Sequence, residues 1–144
     1  MTMIPNESMR TRLCHGAVLL AVLCLTAISP ASADGFTATD LERWQQEYMT
    51  VVGKGEKVFH GGLGNENTVS CDQCHPNATN THPETYPKFQ QQLGRVAELW
   101  EMVNWCIMNP LEAEALAADD PKMIALLTYI NHERRGVPLA PGKH

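Results

Sequence analysis

The run Cys71-Asp72-Gln73-Cys74-His75 constrains this chain more than any other feature. In a C-x-x-C-H pentad two thiols three positions apart can reach neighbouring vinyl groups of one haem, while the next residue sets its imidazole beneath the iron. Two other chemistries use a C-x-x-C pair. A thioredoxin-like disulfide wants a surrounding βαβ pattern, but residues 65–70 and 76–83 are polar loop without strand alternation. A zinc site wants a second pair of ligands, and only the isolated His82 and Cys106 could contribute. Haem attachment leads, with zinc as its main competitor.

The first third of the chain reads as an export signal. Arg10 and Arg12 precede the apolar run 17–25, which is short for a membrane span, and the small-residue site Ala31-Ser32-Ala33 follows. Cleavage is expected after Ala33, making residues 1–33 a signal peptide and 34–144 a single domain delivered to the periplasm; an uncleaved anchor is the alternative. The 144 residues less 33 leave 111, and Cys14, Cys24 and His15 depart with the signal. Cys106 is then an odd thiol in an oxidising compartment, where it should be buried, ligating or paired.

Removing Arg10, Arg12 and Glu7 from 11 basic and 16 acidic residues leaves 9 and 15, a net charge of −6. An acidic domain argues against nucleic acid and for another redox protein with a basic docking face. The acidic patch of Glu112, Glu114, Asp119 and Asp120 reads as solvated surface.

About 110 residues give a modest apolar core, so a bound haem would supply part of what is buried. Thr39 or Asp40 can cap a helix through Leu41, Trp44, Tyr48 and Val51, loosened or ended by Gly53 and Gly55. A short helical piece from Glu56 to His60 should stop at Gly61-Gly62, and a Gly-, Asn-, Thr- and Pro-rich loop should run to about Pro87. Apolar residues at Phe89, Leu93, Val96, Trp100, Val103 and Ile107 step by 4, 3, 4, 3 and 4, which predicts one helix of about five turns ended by Asn109-Pro110. A last helix has Asp119 or Asp120 as cap, Pro121 at its first position, and Met123, Leu126, Leu127 and Ile130 inward. With no convincing strand, the expected fold is all-α, a cytochrome c-like helical domain holding one covalently attached haem c.

Several pieces together mark a family resemblance. Phe59 ahead of the pentad and Leu126-Leu127-Thr128-Tyr129-Ile130 in the last helix resemble c-type cytochromes generally. Tyr86-Pro87-Lys88-Phe89, Gln91-Gln92-Leu93-Gly94-Arg95-Val96, Val103-Asn104-Trp105-Cys106 and Arg135-Gly136-Val137-Pro138 resemble the corresponding stretches of SoxA-type sulfur-oxidation cytochromes. The resemblance implies that Cys106 is the distal ligand to iron. It also shows two departures: one haem motif where many relatives carry two domains, and Met102 where their active haem has an arginine four places before the ligating cysteine.

The expected ligand set is therefore Cys71 and Cys74 as covalent anchors, His75 as proximal ligand, Cys106 as favoured distal ligand and Met108 as the alternative, because Met108-Asn109-Pro110 also resembles the methionine loop of ordinary carriers. Met102, Met123, His60 and His82 remain minor candidates for the distal position, although a lone helical Cys is more often a small buried hydrophobe and Met102 and Met123 read chiefly as core filling. His60, His82, His132 and His144 read as solvated or hydrogen-bonding histidines, and the tryptophans as packing groups. The leading function is a periplasmic monohaem electron carrier rather than a catalyst. The alternatives are a haem subunit of a thiosulfate-oxidising complex and a haem-based gas sensor.

Overall fold

The computed structural model describes residues 35–138, and the chain divides into two compact units, Met1–Thr37 and Ala38–His144. The export signal, its cleavage point after Ala33, Cys14, Cys24 and His144 lie outside the described residues. Residues 35–37 belong to the first unit and are exposed without regular structure. Every element below belongs to the second. No helix among the described residues is long and apolar enough to cross a membrane.

The second unit opens with α1, Ala38–Lys57, which continues into a wide turn, Val58–Gly62. The helix starts before Asp40, whose carboxylate instead sits in the first turn and accepts from Arg43 at 3.0 Å. It also runs straight through Gly53 and Gly55, against expectation. Gly55 is required there for packing: a Cβ on it would stand 2.0 Å from the carbonyl oxygen of Ala125 and 2.7 Å from Cβ of Tyr129. The chain is stopped at Gly61, whose φ of 111° only glycine adopts readily.

A single turn, α2 (Cys71–Cys74), carries the two thiols and is followed by two short 3-10 turns, Pro76–Ala78 and Pro83–Thr85. The segment 88–108, expected to be one helix, is instead a hairpin and a shorter helix. Strand β1 (Lys88–Gln90) pairs antiparallel with β2 (Arg95–Ala97), Phe89 opposite Val96, and α3 runs Leu99–Met108. The fold is thus mostly helical with one two-stranded ribbon, and the all-α expectation holds only in part. Two local signals outweigh the apolar period. Gly94, at φ 66°, closes a turn in which its N–H donates to the Gln90 carbonyl at 2.8 Å. Glu98 and Glu101 form a capping box that starts the helix afresh. Phe89 and Val96, assigned inward by periodicity, are 63% and 62% exposed.

The last helix, α4 (Pro121–Arg134), begins as expected: Asp120 is its N-cap, accepting from the Lys122 N–H at 2.7 Å, with Pro121 first. It crosses α1 at the Gly55–Ala125 contact. Around this crossing lies the core of Val52, Phe59, Ala78, Ile107, Met123, Leu126, Tyr129 and Ile130. Phe59, Ile107, Met123 and Leu126 are at most 1% exposed, and each such burial contributes about 1.5–3 kcal/mol. Phe59 stacks obliquely on Tyr129 with ring centroids 5.1 Å apart.

The loop from α3 to α4 has no regular structure, and side chains hold it. Buried Asn104 donates to the Leu116 carbonyl at 2.7 Å and accepts from the Leu116 N–H at 2.9 Å. Asn65 donates to the carbonyls of Val69 and Leu111, both at 2.9 Å, sewing the segment before α2 to the same loop. Replacing Asn104 by leucine strands one buried N–H and one C=O, each worth about 1–3 kcal/mol. Urea unfolding should therefore show a destabilisation of at least that size, with Asn104→Asp, which keeps the acceptor, losing less.

Candidate haem site

A cavity of about 620 Å³ lies beside the core, within the size range of ligand-binding pockets. Its apolar wall comes from Phe59, Leu99, Val103, Ile107, Leu126 and Ile130, so three separate segments of the fold enclose it. Into this space the structure brings Cys71, Cys74, His75 and Cys106 together. Met108, at the carboxyl end of α3, is 50% exposed and does not line the cavity.

Local structure aims each of these groups. The α2 turn presents Cys71 and Cys74 one turn apart, and the His75 N–H donates to the Cys71 carbonyl at 2.9 Å, which carries the helical path on to His75. Beyond it Asn77 and Ala78 take left-handed conformations, φ 50° and 53°. That tight reversal, with Ala78 fully buried in the core, swings the Thr79 carbonyl back toward the imidazole. His75 Nδ1 donates to that carbonyl at 2.9 Å. A carbonyl can only accept, so the proton is fixed on Nδ1 and Nε2 keeps its lone pair for a metal.

All three thiols are free, Cys71 and Cys106 half-buried and Cys74 exposed. Burial pushes the Cys71 thiol up to about 11, and nearby Cys106 adds to the effect. Burial likewise raises Cys106, with a further push from Cys74. Both effects follow from the α3 cysteine lying close to the C-x-x-C pair at the cavity. No three His, Cys, Asp or Glu side chains converge among the described residues as a bare metal ion would need. The zinc reading, with His82 and Cys106 as added ligands, is therefore without a ligand set, whereas a macrocycle held at its rim and axis matches the groups present.

The remaining candidates fall in place around this centre. His60 Nδ1 lies 2.7 Å from Asp72 Oδ2, and Ser70 donates to the same carboxylate. The Ser70 hydroxyl, then His60, hold the Asp72 carboxyl below its usual range. His132 sits 3.4 Å from the Tyr48 hydroxyl, and Met123 is fully buried in the core. His82 lines the cavity, with Nδ1 3.4 Å from Glu84. Met102, a minor distal candidate read chiefly as core filling, lines the cavity. Sequence reading missed Lys88, which also lines it from the hairpin and stands 4.5 Å over the Tyr86 ring.

Comparison with known proteins gives the same account. A weaker likeness, 28% identity over 85 residues, joins the chain to a thiosulfate dehydrogenase of Allochromatium vinosum; it covers 51% of this chain and 32% of that protein, so the chain spans about a third of that relative. Residues 54–139 match the family model for the SoxA/TsdA cytochrome c domain, which implies that the domain binds haem c. The chain belongs to the SoxA/TsdA cytochrome c domain family.

Proposed function

We propose that this chain is an exported, single-haem electron carrier of the periplasm, with haem bonded covalently to Cys71 and Cys74 and its iron held between His75 and Cys106. The observation that carries the reading is the arrival of all four side chains at one apolar cavity, with His75 Nδ1 committed to Thr79. Haem c bound there supplies a one-electron ferric/ferrous couple. The protein's share is positioning. Two thioethers would fix the macrocycle, the Thr79 carbonyl orients the imidazole and raises its basicity, and the apolar wall excludes water. With His75 and Cys106 both on the iron no position would stay open, which suits outer-sphere transfer with little rearrangement. The acidic balance of the domain supports a partner that presents a basic face.

The purified holoprotein should contain one haem per chain and titrate as a single one-electron couple. Replacing Cys106 by alanine should raise the reduction potential, because an anionic sulfur stabilises the ferric state. An unchanged potential would remove Cys106 from the iron.

A second reading rests on the likeness to thiosulfate dehydrogenase: a haem subunit of a thiosulfate-oxidising complex, with Cys106 carrying the sulfur. Reduction of the haem by thiosulfate alone, with a mass excess on Cys106, would select it over the carrier. A gas-sensing role would instead show as rapid carbon monoxide binding by the native ferrous protein.

A further inference from the structure

Four methionines lie among the described residues, and the fold treats them differently. Met49 and Met108 are 41% and 50% exposed, and Met123 is sealed in the core. Met102 alone of the four lines the cavity. It stands four residues before Cys106 on α3, one helical turn away, on the face that also carries Leu99, Val103 and Ile107 into the cavity. Side chains at that spacing have Cβ atoms about 5–6 Å apart. The methionine side chain, with three rotatable bonds, can move its sulfur over such a distance without moving the helix.

We propose that Met102 is a reserve axial ligand, whose thioether takes the distal position on iron when the Cys106 sulfur leaves it. The proposal rests on the reading of Cys106 as resident ligand and extends it. In the exchange the bond from Cys106 Sγ to iron breaks, Cys106 keeps the electron pair and takes a proton from solvent, and a lone pair of Met102 Sδ forms the new bond. Iron keeps its oxidation state throughout, so no oxidant or reductant is needed. The apolar wall favours the exchange in the ferrous state, where an anionic sulfur would leave the iron and macrocycle with a net negative charge and a thioether leaves them neutral. The consequence is a carrier with two settings. Thiolate ligation gives a low potential, and thioether ligation a high one, so loss of the Cys106 sulfur by modification would redirect electrons while keeping the iron closed to small ligands.

The test uses the haem-loaded full chain as wild type, Cys106→Ala, Cys106→Ser, Met102→Leu and the Cys106→Ala/Met102→Leu double variant, read by electron paramagnetic resonance, near-infrared absorption and carbon monoxide binding. The single cysteine variants should be low-spin with the methionine-to-iron charge-transfer band. The double variant should lose that band and bind carbon monoxide at least tenfold faster in the ferrous state. Met102→Leu alone should keep the thiolate spectrum of the wild type. High-spin iron without the band in both cysteine variants would overturn the proposal, as would a band that survives in the double variant. A wild-type protein that already shows the band, and loses it in Met102→Leu, would overturn both the reserve role and the resident role of Cys106. A wild type without thiolate signature whose cysteine variants are unchanged would remove Cys106 from the iron and the reserve role with it, whereas a thiolate wild type with high-spin cysteine variants would overturn the reserve role and leave Cys106 in place.

Discussion

A chain with both Cys71 and Cys74 changed to alanine should retain no haem after denaturation. The two thiols are one turn apart on α2 and face a single cavity, so no other described side chain is placed to replace a thioether. Cys106, the third thiol among the described residues, projects from a different helix, α3. Each single variant should keep haem through one bond, visible as a haem-stained band on a denaturing gel and as the mass of the chain plus one haem. The folded double variant should also be less stable. A cavity of about 620 Å³ without a tethered occupant has apolar walls with no fixed partner, and a reversibly bound cofactor stabilises only in proportion to its occupancy. Haem persisting on the denatured double variant would mean that attachment does not run through this pair.

Gly55→Ala should be the most damaging single methyl group that can be added to the scaffold. The new Cβ would lie 2.0 Å from the Ala125 oxygen and 2.6 Å from its carbon, both backbone atoms of α4 that cannot rotate away. The helices must move apart, loosening Val52, Phe59, Leu126 and Ile130 together. Overpacking of this kind costs about 1–3 kcal/mol, and contact with rigid backbone belongs at or above the upper end. Helix propensity works the other way but supplies only about 1 kcal/mol. Sterics therefore win. Gly53→Ala is the matched control: it lies in the same helix with nothing within 4 Å of its Cβ, so propensity acts alone and the variant should be up to about 1 kcal/mol more stable. Urea midpoints for the pair, moving in opposite directions, check the crossing geometry.

These two glycines show where the sequence could be read and where it could not. Locally both read as helix breakers, because intrinsic propensity is the only information a neighbouring sequence carries. Gly55 is tolerated because a residue 70 positions later needs the space, and no local pattern reports that. The hairpin was hidden for a different reason. Phe89, Leu93 and Val96 fall on a helical period shared with Trp100, Val103 and Ile107, yet the turn at Gly94 and the Glu98/Glu101 capping box break the run. Those two signals were present in the sequence and are more specific than periodicity. The α4 cap at Asp120-Pro121 was legible because cap chemistry is local.

The site divides in the same way. That Cys71, Cys74 and His75 meet at one place was legible because the three are held together by spacing along the chain. The distal side was not, since Met102, Cys106 and Met108 lie within seven residues and only the rotation of α3 decides which face the cavity. That rotation follows from where Glu98 starts the helix and where Asn104 anchors it to Leu116. With α3 so placed, Cys106 and Met102 line the cavity and Met108 stands at the surface.

The most direct test of a His75/Cys106 haem centre is the electron paramagnetic resonance and near-infrared spectrum of the ferric wild-type holoprotein. Low-spin iron with a thiolate signature and no methionine-to-iron charge-transfer band is the expected result. A clear methionine band, with no thiolate signal, would contradict it.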